Sequence, residues 1–335
     1  MVWSTTTAVE EFLAEAGEFL RAEPARNSVI LTVAENLRVK AAPAAPASAG
    51  ASPGDDRTLL GWWRPSADPD LVGGAFLHTP RFPIFLTAMS RQAAAELAAE
   101  QASSGRLVHG VNAEQESAAA FTAAWQQRTG DDARLHRRMR LFRLAELLPP
   151  GRWPEGSARL AAKRDRDLLI AWFDAFAREV DDLAGQDHAA AVDERLSYGG
   201  VMVWQAGATP VAIAGVTRAV AGMVRVGPVY TPPELRGRGY GGAATAAVSQ
   251  AARDVGAEEV VLYTDLANPT SNALYQRLGY RPVEDRVVLS YQPASPGRAG
   301  SPATPGSTVV LLVMRRLRGG IHGRSFLVLG REGFG

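Results

Sequence analysis

The chain has 335 residues, 46% of them hydrophobic and 21% charged, with a formal charge of +1 and no cysteine. That length is roughly two domains, and the composition is that of a folded protein, not a disordered or fibrous one. Disulfides, thiolate-bound metals and a covalent cysteine intermediate are excluded, and the charge balance gives no overall pull towards nucleic acid or an anionic membrane.

Val9, Phe12, Leu13, Ala16, Phe19 and Leu20 recur at helical spacing and predict the first helix. Glu10, Glu11, Glu15 and Glu18 among them are wrong for a secretory leader. Residues 41–56, rich in Pro, Ala, Ser and Gly, have nothing to bury and read as a surface insertion. Strands are expected at 59–64, 71–79 and 84–89, helices at 91–102 and 113–128, and a strand at 133–144. Trp62 and Trp63 alternate faces on their strand, one towards a core and one towards a domain interface. Pro149, Pro150, Gly151 and Pro154 mark a linker. Beyond it a short strand at 158–161, a helix at 165–181 and a helix at 190–196 are expected. Strands follow at 200–205, 211–217 and 224–230, then a helix at 239–255 with Ala244, Ala247, Val248, Ala251 and Val255 as its buried stripe. A strand at 260–264, a helix at 269–278 and a strand at 287–291 end the second half. From 293 the composition again turns to Pro, Gly, Ser and Ala, which predicts a disordered tail, and its longest apolar run, 309–314, is far short of the ~20 residues that span a bilayer. A cytoplasmic protein with no membrane partner is the expectation.

The halves echo each other. GVNAEQESAAAFTAAWQQRTG and then a strand in the first half parallels DLANPTSNALYQRLGY and then a strand in the second; both read as Asn-capped helix, Gly stop, strand, which suggests a duplication.

The informative segment is 224–240, a strand, then the stretch TPPELRGRGYGG, then a helix. Arg236, Gly239 and Gly241 have the spacing Arg-x-x-Gly-x-Gly at a helix start. Glycines let backbone approach an anion closely, and the unpaired N–H groups of a first turn carry the positive end of the helix dipole. Arg236 and Arg238 add charged donors, Arg236 being the better phosphate ligand. Gly237, Gly239 and Gly242, with Asp265 roughly 20 residues on, also satisfy a dinucleotide fingerprint, but there the first glycine follows its strand directly. Here 231–236, with two prolines, intervene, and the strands before them read as an antiparallel meander. No Walker loop is present.

Residues 159–291 resemble the GNAT superfamily, the GCN5-related N-acetyltransferases, most closely over 224–280. Asn268, Ser271, Tyr275, Gly279 and Tyr280 match that family's Asn-x-x-(Ser/Ala)-x-x-x-Tyr-x-x-x-Gly-(Phe/Tyr) pattern. The resemblance implies a mixed α/β fold of two GNAT-like domains, each a mostly antiparallel sheet flanked by helices. They would occupy 1–148, degenerate and lacking the glycine loop, and 158–292, which would bind acetyl-CoA, with 149–157 as linker and 293–335 as tail. It implies that the backbone of Pro228, Val229 and Tyr230 pairs with the pantetheine arm, that Arg236, Gly237, Arg238, Gly239, Tyr240, Gly241 and Gly242 hold the pyrophosphate, and that Asn268 and Asn272 line the cofactor. Tyr275 would be the general acid that protonates the departing thiolate. The plain alternatives are that Asn268 and Pro269 are a helix cap, Gly279 a helix stop and Tyr275 a half-buried core residue. The strand 224–230 has no carboxylate to serve as base, which leaves Asp265, Glu234 or a water relay. The activity implied is transfer of an acetyl group to a primary amine on a small molecule or protein, by direct attack in a ternary complex; a non-catalytic acyl-CoA sensor is the competing class. Arg134, His136, Arg138 and Arg140 share one strand face, read as solvated and not as a nucleic-acid surface. The five histidines show no metal-ligand spacing, and no metal is expected.

Overall fold

Phe12, Ala16 and Leu20 fall one turn apart and are fully buried, which turns one face of the first helix, α1 (Val9–Ala22), towards a sheet. The computed structural model describes residues 2–41, 57–180 and 188–294. Nearly all of the expected 41–56 insertion, and the tail from 295, lie outside the described residues. The first half runs β1 (Val2–Thr6), α1, α2 (Ser28–Ala41), β2 (Leu59–Arg64), β3 (Gly74–His78), β4 (Ile84–Leu86), α3 (Arg91–Ser103), β5 (Gly110–Glu114), α4 (Gln115–Thr129) and β6 (Asp132–Leu144). The second runs β7 (Ser157–Leu160), α5 (Arg166–Glu179), α6 (His188–Ser197), β8 (Val201–Ala206), β9 (Thr209–Val216), β10 (Met223–Tyr230), α7 (Tyr240–Asp254), β11 (Glu259–Asp265), α8 (Pro269–Arg277) and β12 (Tyr280–Gln292). Element for element the second half repeats the first.

The strands form one 12-stranded sheet in the order β1-β2-β3-β4-β5-β12-β6-β11-β10-β9-β8-β7. Exchanging each strand with its counterpart six later reverses this order and leaves it unchanged, so the chain is a pseudo-twofold built about the antiparallel β6–β12 pair. Each half lends its last strand to the other: β12 lies between β5 and β6, and β6 between β11 and β12. Among the described residues only β4–β5 and β10–β11 are parallel. Strand alternation sorts the helices. Ile84, Val111, Phe142, Val224, Val226 and Leu262 point to the face carrying α3, α4, α7 and α8. Leu60, Trp62, Phe85, Val201, Ile213 and Tyr230 point to the face carrying α1, α2, α5 and α6.

Several expectations change. Asn112 is a strand residue of β5 and not a helix cap; α4 starts at Gln115, because 110–114 is needed to pair with β12. Asn268 does cap its helix, accepting the Ser271 N–H at 3.0 Å. Val255 is 85% exposed, since α7 ends at Asp254. Both Trp62 and Trp63 are buried, on opposite faces of the sheet and not one at an interface. Strand β12 is longer than expected because β6 pairs along it from Tyr280 to Gln292.

Candidate functional site in the second half

Strands β10 and β11 pair from Met223–Glu259 to Val226–Leu262 and then part. Strand β10 breaks register between Val226 and Val229, around a cis Gly227–Pro228 bond, and continues against β9 at Val229 and Tyr230. Strand β11 continues against β6 as far as Asp265. The result is a wedge-shaped gap through the sheet, with Pro228, Val229 and Tyr230 along one side and Tyr263, Thr264 and Asp265 along the other.

The α7 N-terminus opens beside the end of β10. Gly237 (φ +77) and Gly239 (φ +85) take left-handed backbone that an L side chain adopts only at a cost, and a Cβ on Gly237 would meet nothing within 4 Å. Among the described residues none accepts a hydrogen bond from the N–H groups of Gly237 to Gly242. The loop is therefore an open row of donors at the positive end of a 15-residue helix. A Cβ on Gly242 would lie 2.9 Å from Leu274 Cδ1, so this glycine lets α7 press against α8. The ring of Tyr240 is in the core, which restricts its part in the cradle to its N–H.

Arg236 is not the freer of the two arginines. Its Nη2 pairs with the Glu179 carboxylate of α5 at 2.6 Å, its Nε donates to the Thr231 carbonyl at 2.9 Å, and its guanidinium sits 5.9 Å from the Tyr230 ring centre. Arg238 is exposed, its one hydrogen bond a long 3.4 Å contact to the Glu234 carbonyl. The C-terminal end of α5 bridges the gap on its own face: Glu179 holds Arg236 on the β10 side, and Arg137 of β6 donates to the Val180 carbonyl on the other.

On the α7 face, Tyr275 of α8 lies against Phe142, whose partner in β11 is Leu262, the last residue paired before the gap. Burial pushes its hydroxyl up to about 12. Asn272 donates to the Asp265 and Asn268 carbonyls at 2.8 and 2.7 Å, while its own Oδ1 is buried and accepts nothing. Asp265, the expected base, closes the turn that follows β11. Its Oδ1 accepts the Ala267 N–H at 2.7 Å and its Oδ2 lies 3.9 Å from Arg137 Nε. Glu234, the other carboxylate considered, lies in the short 3-10 turn before the loop.

The counterpart region of the first half is closed. Ser90 caps α3 by accepting the Ala93 N–H at 3.1 Å. Between β4 and β5 the guanidinium of Arg286, 1% exposed, donates to the Leu86 and Asn112 carbonyls at 2.6 and 2.9 Å. It also donates to Asn112 Oδ1 at 3.0 Å and to Glu284 at 2.6 Å, with its face 4.0 Å from the Phe85 ring centre. A side chain thus bridges the strands where the second half has its gap. A cavity of about 490 Å³, lined by Trp153, Leu160, Met202, Ala247 and Ala251, lies towards β7 and the linker, away from the gap. Among the described residues no group of three or more His, Cys, Asp or Glu is placed to hold a metal, and no helix is long and apolar enough to cross a membrane.

A mixed sheet covered by helices on both faces, whose parallel pair splits beside a glycine-rich helix start, defines a protein of the acetyltransferase fold. Three solved structures share it over nearly the whole of their own chains. A GCN5-related N-acetyltransferase from Sphaerobacter thermophilus is 17% identical with a TM-score of 0.58, covering 88% of this chain and 96% of its own. A Drosophila protein is 14% identical at 0.60, covering 88% and 99%. A GNAT-family acetyltransferase from Colwellia psychrerythraea is 10% identical at 0.51, covering 87% and 99%. Such identities carry the fold alone. The acetyltransferase (GNAT) family model matches residues 163–280, so this stretch, from the turn before α5 to the start of β12, is a GNAT-family domain. Comparison with curated proteins returns no match. Family and fold together support acyl transfer as the class of chemistry.

Proposed function

We propose that the second half transfers an acetyl group from acetyl-CoA to a primary amine, and that the first half binds no cofactor. The observation that carries this is the conjunction of the β10–β11 gap with the open N–H row of 237–242. A linear ligand with a pyrophosphate at one end and amide groups along its length fits that pair of features: anion donors at the helix start, then strand edges and the orphaned Asn272 Oδ1 along the gap. Acetyl-CoA supplies an acyl carbon activated as a thioester. In the reaction the amine nitrogen bonds that carbon, the carbon–sulfur bond breaks, the amine gives up one proton and the leaving sulfur takes one. Tyr275 donates the latter from its hydroxyl, which its burial keeps protonated throughout the neutral range. Strand β10 carries no carboxylate and Asp265 is committed to its turn, so we assign no side-chain base; the ternary complex draws on positioning. An acyl-CoA sensor would share the cradle and lack turnover. Release of free thiol from acetyl-CoA in the presence of a panel of primary amines separates the two: amine-dependent release supports the transferase, and tight acetyl-CoA binding with no amine-dependent release supports the sensor.

A further inference from the structure

The face of the sheet under α2, α5 and α6 carries a partly buried cationic patch that cofactor binding leaves unused. Strand alternation fixes its place. Val224 and Val226 enter the core under α7, so Arg225 between them points to the opposite face, beside its β11 partner Val261. Tyr263, two residues along β11, lies on that same face at the edge of the gap. The Arg225 Nη1 is shut off from solvent and donates to nothing, and no carboxylate of the described residues pairs with it. Surrounding carboxylates have other partners: Glu284 pairs with Arg286 and Arg26, Glu194 with Arg218, and Glu259 of β11 gives its Oε1 to Arg143 while its Oε2 is buried and unpaired. Arg195 Nε of α6 is likewise buried and unpaired, although its Nη1 donates to the Ala191 carbonyl at 3.2 Å and its guanidinium lies 5.4 Å from the Phe173 ring centre; the buried Tyr263 hydroxyl and Ser28 hydroxyl of α2 are within reach of each other. These groups are neighbours, since Arg195 and Tyr263 both act electrostatically on Arg225, and Ser28 faces Tyr263. Burial without a counter-charge pushes the Arg225 guanidinium down to about 10.

A buried donor without an acceptor is rare in a folded protein, and two guanidinium N–H groups left so on one patch, with two hydroxyls beside them, are complementary to an oxyanion. We infer that the acceptor amine carries an oxyanion group, a carboxylate or a phosphate, held by Arg225 and Arg195 with the Tyr263 and Ser28 hydroxyls. Its amine end is then presented to the gap between β10 and β11 from the face opposite the α7 helix start. The assignment of this ligand as the acyl acceptor rests on the transferase reading; the anion site itself does not.

The test is thermal unfolding of the full chain in propionate, its neutral isostere propionamide, inorganic phosphate, and sodium chloride at matched ionic strength. The expected result is a rise in Tm of a few degrees with propionate or with phosphate and none with propionamide or chloride; which anion acts identifies the group. In Arg225→Met the rise disappears while the variant is at least as stable as the parent, because a buried unpaired charge has been replaced by an apolar chain of similar length. Phosphate bound at the α7 loop would raise Tm in parent and variant alike, which sets that site apart. The inference is overturned if neither anion exceeds propionamide and chloride, or if the rise is undiminished in Arg225→Met; should that variant not fold, Arg195→Met serves in its place. An Arg225-dependent anion response without acetyl-CoA binding would remove the transferase reading alone, and acetyl-CoA binding without the anion response would remove the anion site alone.

Discussion

Tyr275→Phe removes one oxygen from a residue whose two possible roles make opposite demands. The ring packs 6.4 Å from Phe142 and 6.0 Å from Tyr280 between centres, and Phe keeps both contacts. The hydroxyl makes no hydrogen bond to the protein, so its loss moves stability by no more than about 0.5 kcal/mol, a Tm shift of a degree or two. As the proton donor to the leaving sulfur it is worth on the order of 10²-fold in kcat, about 2.7 kcal/mol of transition-state stabilisation. The raised value of about 12 sets the sign with pH: the acid form persists through neutral and mildly alkaline solution, so the donor is not lost on that limb of the rate profile. Thiol release from acetyl-CoA under amine saturation, with calorimetric acetyl-CoA affinity and thermal unfolding on the same preparation, reads all three quantities. A fall in kcat with affinity and Tm unchanged is expected. Unchanged kcat refutes the proton-donor role, and a large drop in Tm would show that the hydroxyl is structural.

Glu179→Gln frees Arg236 from a pair whose partners are 47% and 40% exposed; such a pair is worth at most about 1 kcal/mol, so acetyl-CoA affinity rises by up to about fivefold in calorimetry. Weaker binding would show that Glu179 orders the loop and does not compete for its arginine. Arg286→Met leaves the buried Glu284 carboxylate short of a partner and takes one donor from each of two carbonyls, costing about 3–5 kcal/mol in urea unfolding; a loss under about 1 kcal/mol would show that the bridge between β4 and β5 is not structural. Asp165, nearly buried and held by two 2.7 Å bonds from Arg159, has its carboxyl lowered by that guanidinium. A lowered carboxyl contributes stability above its unfolded value, about 4, and loses it as pH falls through the folded value. Asp165→Asn therefore costs roughly 2 kcal/mol at neutral pH, and the gap to the parent closes below about pH 4 in acid-unfolding curves; a gap that persists there contradicts the ion-pair account.

Much of the second half was legible because its signals are local. The Arg-x-x-Gly-x-Gly spacing and the Asn268 cap are properties of consecutive residues, and both lie where expected, at the starts of α7 and α8. Long-range pairing was not legible. Residues 110–114 look like a helix start until β12 is known to need a partner, and nothing in the sequence foretells that β6 and β12 cross between halves. Arg286 was invisible as a bridge for the same reason, its acceptors lying 174 and 200 residues away. Arg225 did leave a trace, a single charge in the otherwise apolar strand VRVGPVY, but its meaning depends on which carboxylates surround it in space. Glu179, the partner of Arg236, is likewise far from the loop in sequence.

The most direct test of the account is calorimetric titration of the full chain with acetyl-CoA, beside Gly239→Trp, which places a bulky side chain at left-handed backbone in the α7 loop. One saturable site per chain, lost in the variant while its circular dichroism matches the parent, is the predicted result. No binding, two sites per chain, or one site untouched by the variant would contradict a single cofactor cradle in the second half.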